Sequence, residues 1–152
     1  MGSRSRVALT AILLGGIVAG TIDIGAACLI NGHGVTFILH TIAGGLLAKQ
    51  SYSGGTPTAL LGLALQELMG VLIAAIYAGA ATLLPALRRH WLVGGLAYGV
   101  VIFFVMNYVV VPLSAWKHRP HFSAYTFAAN MAAMVLFGLI VAWVVSRQSE
   151  RG

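Results

Sequence analysis

The residues that could do chemistry in this sequence are polar side chains inside long apolar stretches. Two of the chain's three acidic residues, Asp23 and Glu67, lie in such stretches, and so do two amides, Asn107 and Asn130. An acid at the centre of a bilayer costs roughly 2.5–3.5 kcal/mol on insertion scales. Because lipid disfavours a charged carboxyl group, each acid must face other helices, be neutral or have a partner. Two carboxyl groups with two amides form a set that can bind a proton or a cation.

These four residues lie at similar depths when each apolar stretch is read as one helix. All four fall about three to five residues to the outer side of the middle of their stretches, or roughly 5–8 Å at 1.5 Å per residue. We therefore predict one polar layer built from four helices, which His40 joins if the short segment around it enters the bundle. Gln66 points about 100° away from its neighbour Glu67 on a helix, so we expect that the two do not face one centre.

The predicted layer has two interpretations. It is either a proton or cation site, or a hydrogen-bonded layer that locks the helices together, with neutral acids donating to the asparagines. Interhelical hydrogen bonds in membranes contribute on average only about 0.6 kcal/mol each, which is less than the cost of placing an acid in the bilayer. Convergence of the four side chains on one cavity would favour the proton or cation site, whereas side chains that diverge or close a dry hydrogen-bonded layer would favour a structural or accessory subunit.

Other kinds of site lack a supporting pattern. The single cysteine, Cys28, excludes an internal disulfide and a cysteine-based metal cluster. His118 and His121 are three residues apart, but Pro120 interrupts them and no third ligand follows, whereas zinc takes three or four. No catalytic triad, zinc-protease motif or dinucleotide fingerprint is present. We therefore expect no enzyme, no cofactor and no metal site, and a lipid-modifying enzyme has no motif in its favour.

Composition defines the elements that must position these residues. Charged residues make up 8% of the 152-residue chain and hydrophobic residues 59%, whereas a soluble domain has about 25% charged residues. This excludes a soluble enzyme, a disordered chain and a secreted disulfide scaffold. The net charge of +6 is scattered over connecting segments, so we expect the lipid bilayer as the partner and no nucleic acid.

Four stretches reach the length of about 20 apolar residues that a spanning helix needs: 7–30, 57–84, 91–113 and 122–146. Segment 35–48 is shorter, and we interpret it as a re-entrant or interfacial helix, with a short fifth span as the alternative. The predicted fold class is all-α, an integral membrane four-helix bundle with an additional short helix, in one domain over 1–152. The first stretch is longer than the core of a signal peptide, about 7–15 residues, so we expect it to remain as a span.

Basic residues predict the orientation of the spans, because cytoplasmic loops carry the excess of Lys and Arg. Four spans place six basic residues on one side and three on the other, whereas five spans would divide them five to four. The count favours four spans with both termini in the cytoplasm. The six are Arg4, Arg6, Arg88, Arg89, Arg147 and Arg151, and the three are Lys49, Lys117 and Arg119.

Small residues recur four apart on the spans, a spacing that lets helix backbones approach closely. The sets are Gly16 and Gly20; Gly70, Ala74 and Ala78; Gly95 and Gly99; and Gly138 and Ala142. They either pack the four helices against one another or leave a face for a homo-oligomer or a larger membrane complex.

Two stretches carry a family resemblance: GGTPTALLGLAL at 54–65 and MNYVVVPLSA at 106–115. With them, residues 36–146 resemble the small bacterial inner-membrane proteins of the YagU-like family. The resemblance implies a bacterial inner membrane and four helices, and it implies no reaction. The chain departs from the family pattern at Gln66 and Glu67, where a histidine followed by an apolar residue is expected, so no functional residue is carried over.

Two function hypotheses follow. The first is a small inner-membrane protein, of unknown substrate, that handles protons or cations through Asp23 and Glu67, with Asn107, Asn130 and His40 lining the site. Four helices leave little room for a pore, so transport would need an oligomer. The alternative is an accessory or structural subunit that packs against a larger membrane protein complex.

Overall fold

The computed structural model of the chain describes residues 3–117 and 121–149, and over these residues it is helical without a β-strand. Three connecting residues that were considered above, His118, Arg119 and Pro120, and the terminal Arg151 lie outside the described residues. The helices are α1 (Ser3–Asn31), α2 (Val35–Leu47), α3 (Gly55–Leu83), α4 (Ala86–Arg89), α5 (Trp91–Leu113) and α6 (Ala124–Ser149), and a 3₁₀ turn at Ala48–Ser53 links α2 to α3.

Four of these helices, α1, α3, α5 and α6, are long and apolar enough to cross a membrane. They correspond to the four predicted stretches, and their ends differ from the predicted ends by at most four residues. The predicted all-helical class with four long apolar helices is therefore confirmed. Helix α2 has 13 residues, which is fewer than a perpendicular span requires.

Glycine contacts hold the long helices together in the order α3, α1, α6, α5. A Cβ atom on Gly16 would lie 2.5 Å from the Cα of Val71, and one on Gly99 would lie 2.5 Å from the Cα of Val135. Only glycine permits such an approach, because its backbone carries no side chain. The small-residue pairs therefore pack the four helices against one another, as the first of the two interpretations predicted.

Helix α2 crosses one end of the bundle, from α3 to the segment that follows α5. The backbone of Leu39 rests on Gly62 of α3, and the indole of Trp116 covers Gly44 of α2. The backbone N–H of Ala115 donates to the carbonyl of Gly45 over 2.8 Å. We call this end of the bundle the α2 end; α1 and α5 finish there and α3 begins there.

Helix α5 changes from α-helical to π-helical over Met106–Val110. Within this segment the N–H of Val111 donates to the carbonyl of Met106, five residues earlier. Pro112 follows directly, and a proline lacks an N–H and crowds the carbonyl four residues before it. The wider π turn accommodates that crowding without breaking the helix.

Candidate functional site

The two acids lie at one interface, between α1 and α3. The amide nitrogen Nε2 of Gln66 on α3 donates to Oδ2 of Asp23 on α1 over 2.9 Å, and it lies 3.4 Å from the backbone carbonyl of Gly20. A backbone carbonyl can only accept a hydrogen bond, so the nitrogen of the amide faces α1. Oδ2 of Asp23 therefore accepts a hydrogen bond from Gln66.

The carboxyl group of Glu67 is only partly hydrogen-bonded. The hydroxyl of Thr21 on α1 donates to Oε1 over 3.3 Å. The other oxygen, Oε2, is buried and has no hydrogen-bond partner among the described residues. Gly20 leaves the room for this carboxyl, since a Cβ atom there would lie 3.3 Å from Oε2. An unpaired buried oxygen is rare in folded proteins and indicates a group that something else completes.

The antiparallel crossing of α1 and α3 explains why these residues meet. The two helices are in closest contact at Gly16 and Gly70, where a Cβ on Gly70 would lie 2.5 Å from the carbonyl oxygen of Gly16. One turn from that contact, Gly20 faces Glu67, and one further turn places Asp23 beside Gln66. The glycine spacing in the sequence therefore contained the signal that relates the two acids.

Gln66 is one of two site residues that sequence reasoning missed, because two side chains about 100° apart on α3 can still contact the same neighbouring helix. Gln66 and Glu67 both contact α1. Neighbouring residues on a helix are about 100° apart, and α1 is wide enough to contact a side chain on each flank of the shared face. Thr21, which donates to Glu67, was also missed.

The asparagines of the predicted layer hydrogen-bond to their own helices. Nδ2 of Asn107 donates to the carbonyl of Phe103 over 2.9 Å, and Nδ2 of Asn130 donates to the carbonyl of Thr126 over 2.7 Å. Neither asparagine is hydrogen-bonded to Asp23 or Glu67 within the part of the chain that the structure describes. The structure thus unites the two acids and leaves the amides on the α5–α6 side.

His40 links α2 to the start of α3. Its Nε2 lies 2.9 Å from the backbone carbonyl of Gly55, and the ring packs edge-on against Tyr52 with centroids 6.4 Å apart. The carbonyl accepts, so this nitrogen carries the proton. The hydrogen bond positions α2, and the structure does not join His40 to either acid.

The chemistry available at the α1–α3 interface is that of two carboxyl groups, one hydroxyl and one amide. Among the described residues, no three side chains of the metal-binding types come together, whereas zinc in proteins is usually held by three or four. No salt bridge forms to Asp23 or Glu67 within residues 8–117 and 121–147. Such an arrangement suits a proton or a singly charged cation.

A cavity of about 840 Å³ adjoins this interface between α2, α3 and the final turns of α5. Its wall is mainly apolar, and Gln66 belongs to it. Gln66 therefore stands between the cavity on one side and Asp23 on the other.

The chain matches no family model, no curated protein and no solved structure. The resemblance to the YagU-like family stays a prediction.

Proposed function

We propose that the chain is a four-span protein of a bacterial inner membrane with both termini in the cytoplasm. Small residues such as Ala19, Ala43 and Ala74 are buried among the helices, while many of the large apolar side chains are exposed on the outside. Leu29, Leu83 and Leu113 are each more than 80% exposed. An apolar exterior suits lipid, and the six-to-three division of basic residues supports the orientation. In this arrangement α2 is an interfacial helix at the outer face.

We propose that the α1–α3 interface binds and releases a proton or a singly charged cation at Glu67. The observation that carries this proposal is the buried Oε2 of Glu67, which has no partner among the described residues. A buried carboxylate oxygen without a partner is costly. A proton on that oxygen, or a cation beside it that Thr21 also contacts, removes the cost. Exchange of that proton or cation is the function we assign to the site.

Asp23 is the second titratable group of the proposed site. It lies three residues beyond Gly20 on α1, which is roughly 4.5 Å toward the α2 end. Gln66 holds one of its oxygens in place. Glu67 and Asp23 thus provide two successive carboxyl groups toward the outer face, as a short path for a proton or cation would require.

The alternative, an accessory subunit, is supported by the divergence of the asparagines from the acids, but the placement of the small residues speaks against it. A subunit that docks through its small residues needs those residues on its outside. Gly16, Gly70, Gly99 and Gly138 instead contact other helices of the same chain. The space around Gly25 and Gly79 is open, but one open glycine on a helix does not form a packing motif.

The direct test combines labelling with flux. A hydrophobic carbodiimide reacts with protonated carboxyl groups in apolar surroundings, and the modified residue is located by mass spectrometry. We expect Glu67 to be labelled, and we expect the labelling to increase as the pH falls. If the site binds a monovalent cation, adding that cation should slow the labelling. In liposomes that carry the full chain, we expect proton or cation flux that Glu67→Gln and Asp23→Asn reduce at least tenfold.

Asn130→Leu is the matched control, because it removes a polar group at a similar predicted depth that is not bonded to the acids. We expect this variant to retain flux and labelling. Equal flux in the wild type and Glu67→Gln, with both proteins folded and inserted, would contradict the proposal. Carbodiimide labelling of Glu67 that does not change with pH would also contradict the proposal.

A further inference from the structure

The cavity beside Gln66 has the size of a ligand site. Its volume is about 840 Å³, within the range of about 300–1,000 Å³ that small-molecule sites occupy. Most of the wall is apolar, and Met69 of α3 and Met106 of α5 both belong to it. Methionine adapts to ligands of irregular shape. The wall therefore suits a flexible apolar body.

The other polar side chains that line the cavity already have hydrogen-bond partners within the protein. The hydroxyl of Tyr52 lies 2.9 Å from that of Thr41, and the indole Nε1 of Trp116 donates to the carbonyl of Thr41. The hydroxyl of Ser114 donates to the carbonyl of Val111. These groups already have hydrogen-bond partners and do not require a ligand.

Gln66 differs from these residues because its side-chain oxygen is unpaired. Its nitrogen faces α1, where Asp23 and the carbonyl of Gly20 lie. Its Oε1 accepts no hydrogen bond from any residue in 8–117 or 121–147, and it is not among the buried oxygens without a partner, as Oε2 of Glu67 is. Since Gln66 lines the cavity, a ligand there meets a fixed acceptor that needs an O–H or N–H donor.

The charge of the wall limits the ligand further. None of the residues that line the cavity, all of them in the described part of the chain, is charged. A phosphate or carboxylate head would be buried without a cation to pair with it, at a large cost in desolvation. A neutral head with a hydroxyl group avoids that cost.

We propose that this cavity binds a neutral lipid alcohol, with its hydroxyl donating to Oε1 of Gln66 and its chain lying along α3 and α5. The proposal shares with the proposed function the placement of the chain in a membrane and one residue, Gln66, whose nitrogen holds Asp23. It holds whether or not Asp23 and Glu67 exchange protons.

Gly45 provides a variant that fills the cavity without disturbing the fold. It lines the cavity, and a Cβ atom there would meet nothing within 4 Å. Leucine is also a better helix former than glycine. Gly45→Leu therefore occupies the space of the ligand, and its folding is checked by circular dichroism and thermal unfolding.

The test uses tryptophan quenching by brominated chains. The full chain, with Trp91 and Trp143 replaced by phenylalanine, is placed in lipid nanodiscs so that Trp116 at the cavity reports. Dibrominated octadecanol, octadecane and stearate are added separately. A variant that keeps only Trp143, on α6, measures quenching by probe that is merely dissolved in the lipid.

We expect octadecanol to quench Trp116 at a concentration about three- to tenfold lower than octadecane, as one hydrogen bond would produce. Gln66→Leu removes this difference, Met69→Leu on the same wall keeps it, and Gly45→Leu weakens quenching by octadecanol. Trp143 shows no preference among the probes.

Three results would overturn the assignment. Equal quenching of Trp116 by octadecanol and octadecane would leave Gln66 without a role. Stronger quenching by stearate would show that the ligand is an anion. A preference for octadecanol that survives Gly45→Leu in the folded protein would place the ligand elsewhere.

Discussion

At the scale of single residues, the unusual feature is how differently the two acids are satisfied. Asp23 accepts a hydrogen bond from an amide that is itself anchored on α1, whereas Glu67 has one weak donor and one unpaired oxygen. Two carboxyl groups at one interface thus have different surroundings. Asp23 has a hydrogen-bond donor on the neighbouring helix, whereas one oxygen of Glu67 has no partner among the described residues.

The hydrogen bond between Gln66 and Asp23 yields a prediction about stability. Gln66→Leu leaves Oδ2 of Asp23 without its donor, so we expect the free energy of unfolding to fall by about 1–2 kcal/mol. Replacing both residues with leucine removes the unpaired group as well, and we expect the double variant to recover most of that loss. Reversible unfolding in mixed micelles measures the three values. A double variant whose loss equals the sum of the single losses would show that the two side chains do not interact.

The residue scale is also where prediction from the sequence fails most clearly. Asp23, Glu67, Asn107 and Asn130 stand out by type alone, and depth along the spans was the only relation available between them. The depth of a residue along its span does not determine which neighbouring helix its side chain faces. Depth alone therefore grouped the asparagines with the acids, although each asparagine donates to its own helix. The relation that does determine facing is the contact between Gly16 and Gly70, and it becomes informative only once α1 and α3 are known to be neighbours.

At the scale of elements, the long helices follow directly from the sequence because length and apolarity are sufficient to define them. The π turn in α5 and the path of α2 across the bundle are different. The first depends on how one helix accommodates Pro112. The second depends on contacts far apart in sequence, such as that between Gly45 and Ala115. Neither leaves a periodic pattern in the sequence.

The glycine crossing of α1 and α3 makes a prediction that two glycines of α1 can test against each other. A methyl group on Gly16 would meet the backbone at Val71, which cannot move without separating the helices. We expect Gly16→Ala to cost about 1–3 kcal/mol of stability, as overpacking usually does. Gly25→Ala has open space and should be neutral or slightly stabilising, since alanine favours the helix. Thermal unfolding of both variants in the same detergent tests this prediction. Equal changes in melting temperature would mean that the helix crossing does not depend on Gly16.

At the scale of the whole molecule, the placement of polar groups is one-sided. The acids, the cavity and α2 lie in the same half of the bundle, whereas the buried apolar cluster around Tyr77 and Val141 fills the other half. In a membrane this places Asp23, Glu67 and the cavity nearer one face, whereas the opposite half of the bundle is packed with apolar side chains. The side of the membrane that the acids and the cavity lie nearest to is therefore the side that carries α2.

The position of Lys49 tests that orientation and the number of spans together. Lys49 follows α2 and is exposed, and His90 between α4 and α5 is exposed as well. With four spans and cytoplasmic termini, position 49 is outside and position 90 inside; a fifth span through 35–48 reverses both. In a Cys28→Ala background, we expect a membrane-impermeant maleimide to label Lys49→Cys in intact cells, and His90→Cys only after the cells are opened. The reverse pattern would mean either a fifth span or four spans with both termini outside. Because α1 ends where α3 begins, only the second keeps the described fold, and it would move the Asp23 and Glu67 site toward the cytoplasm.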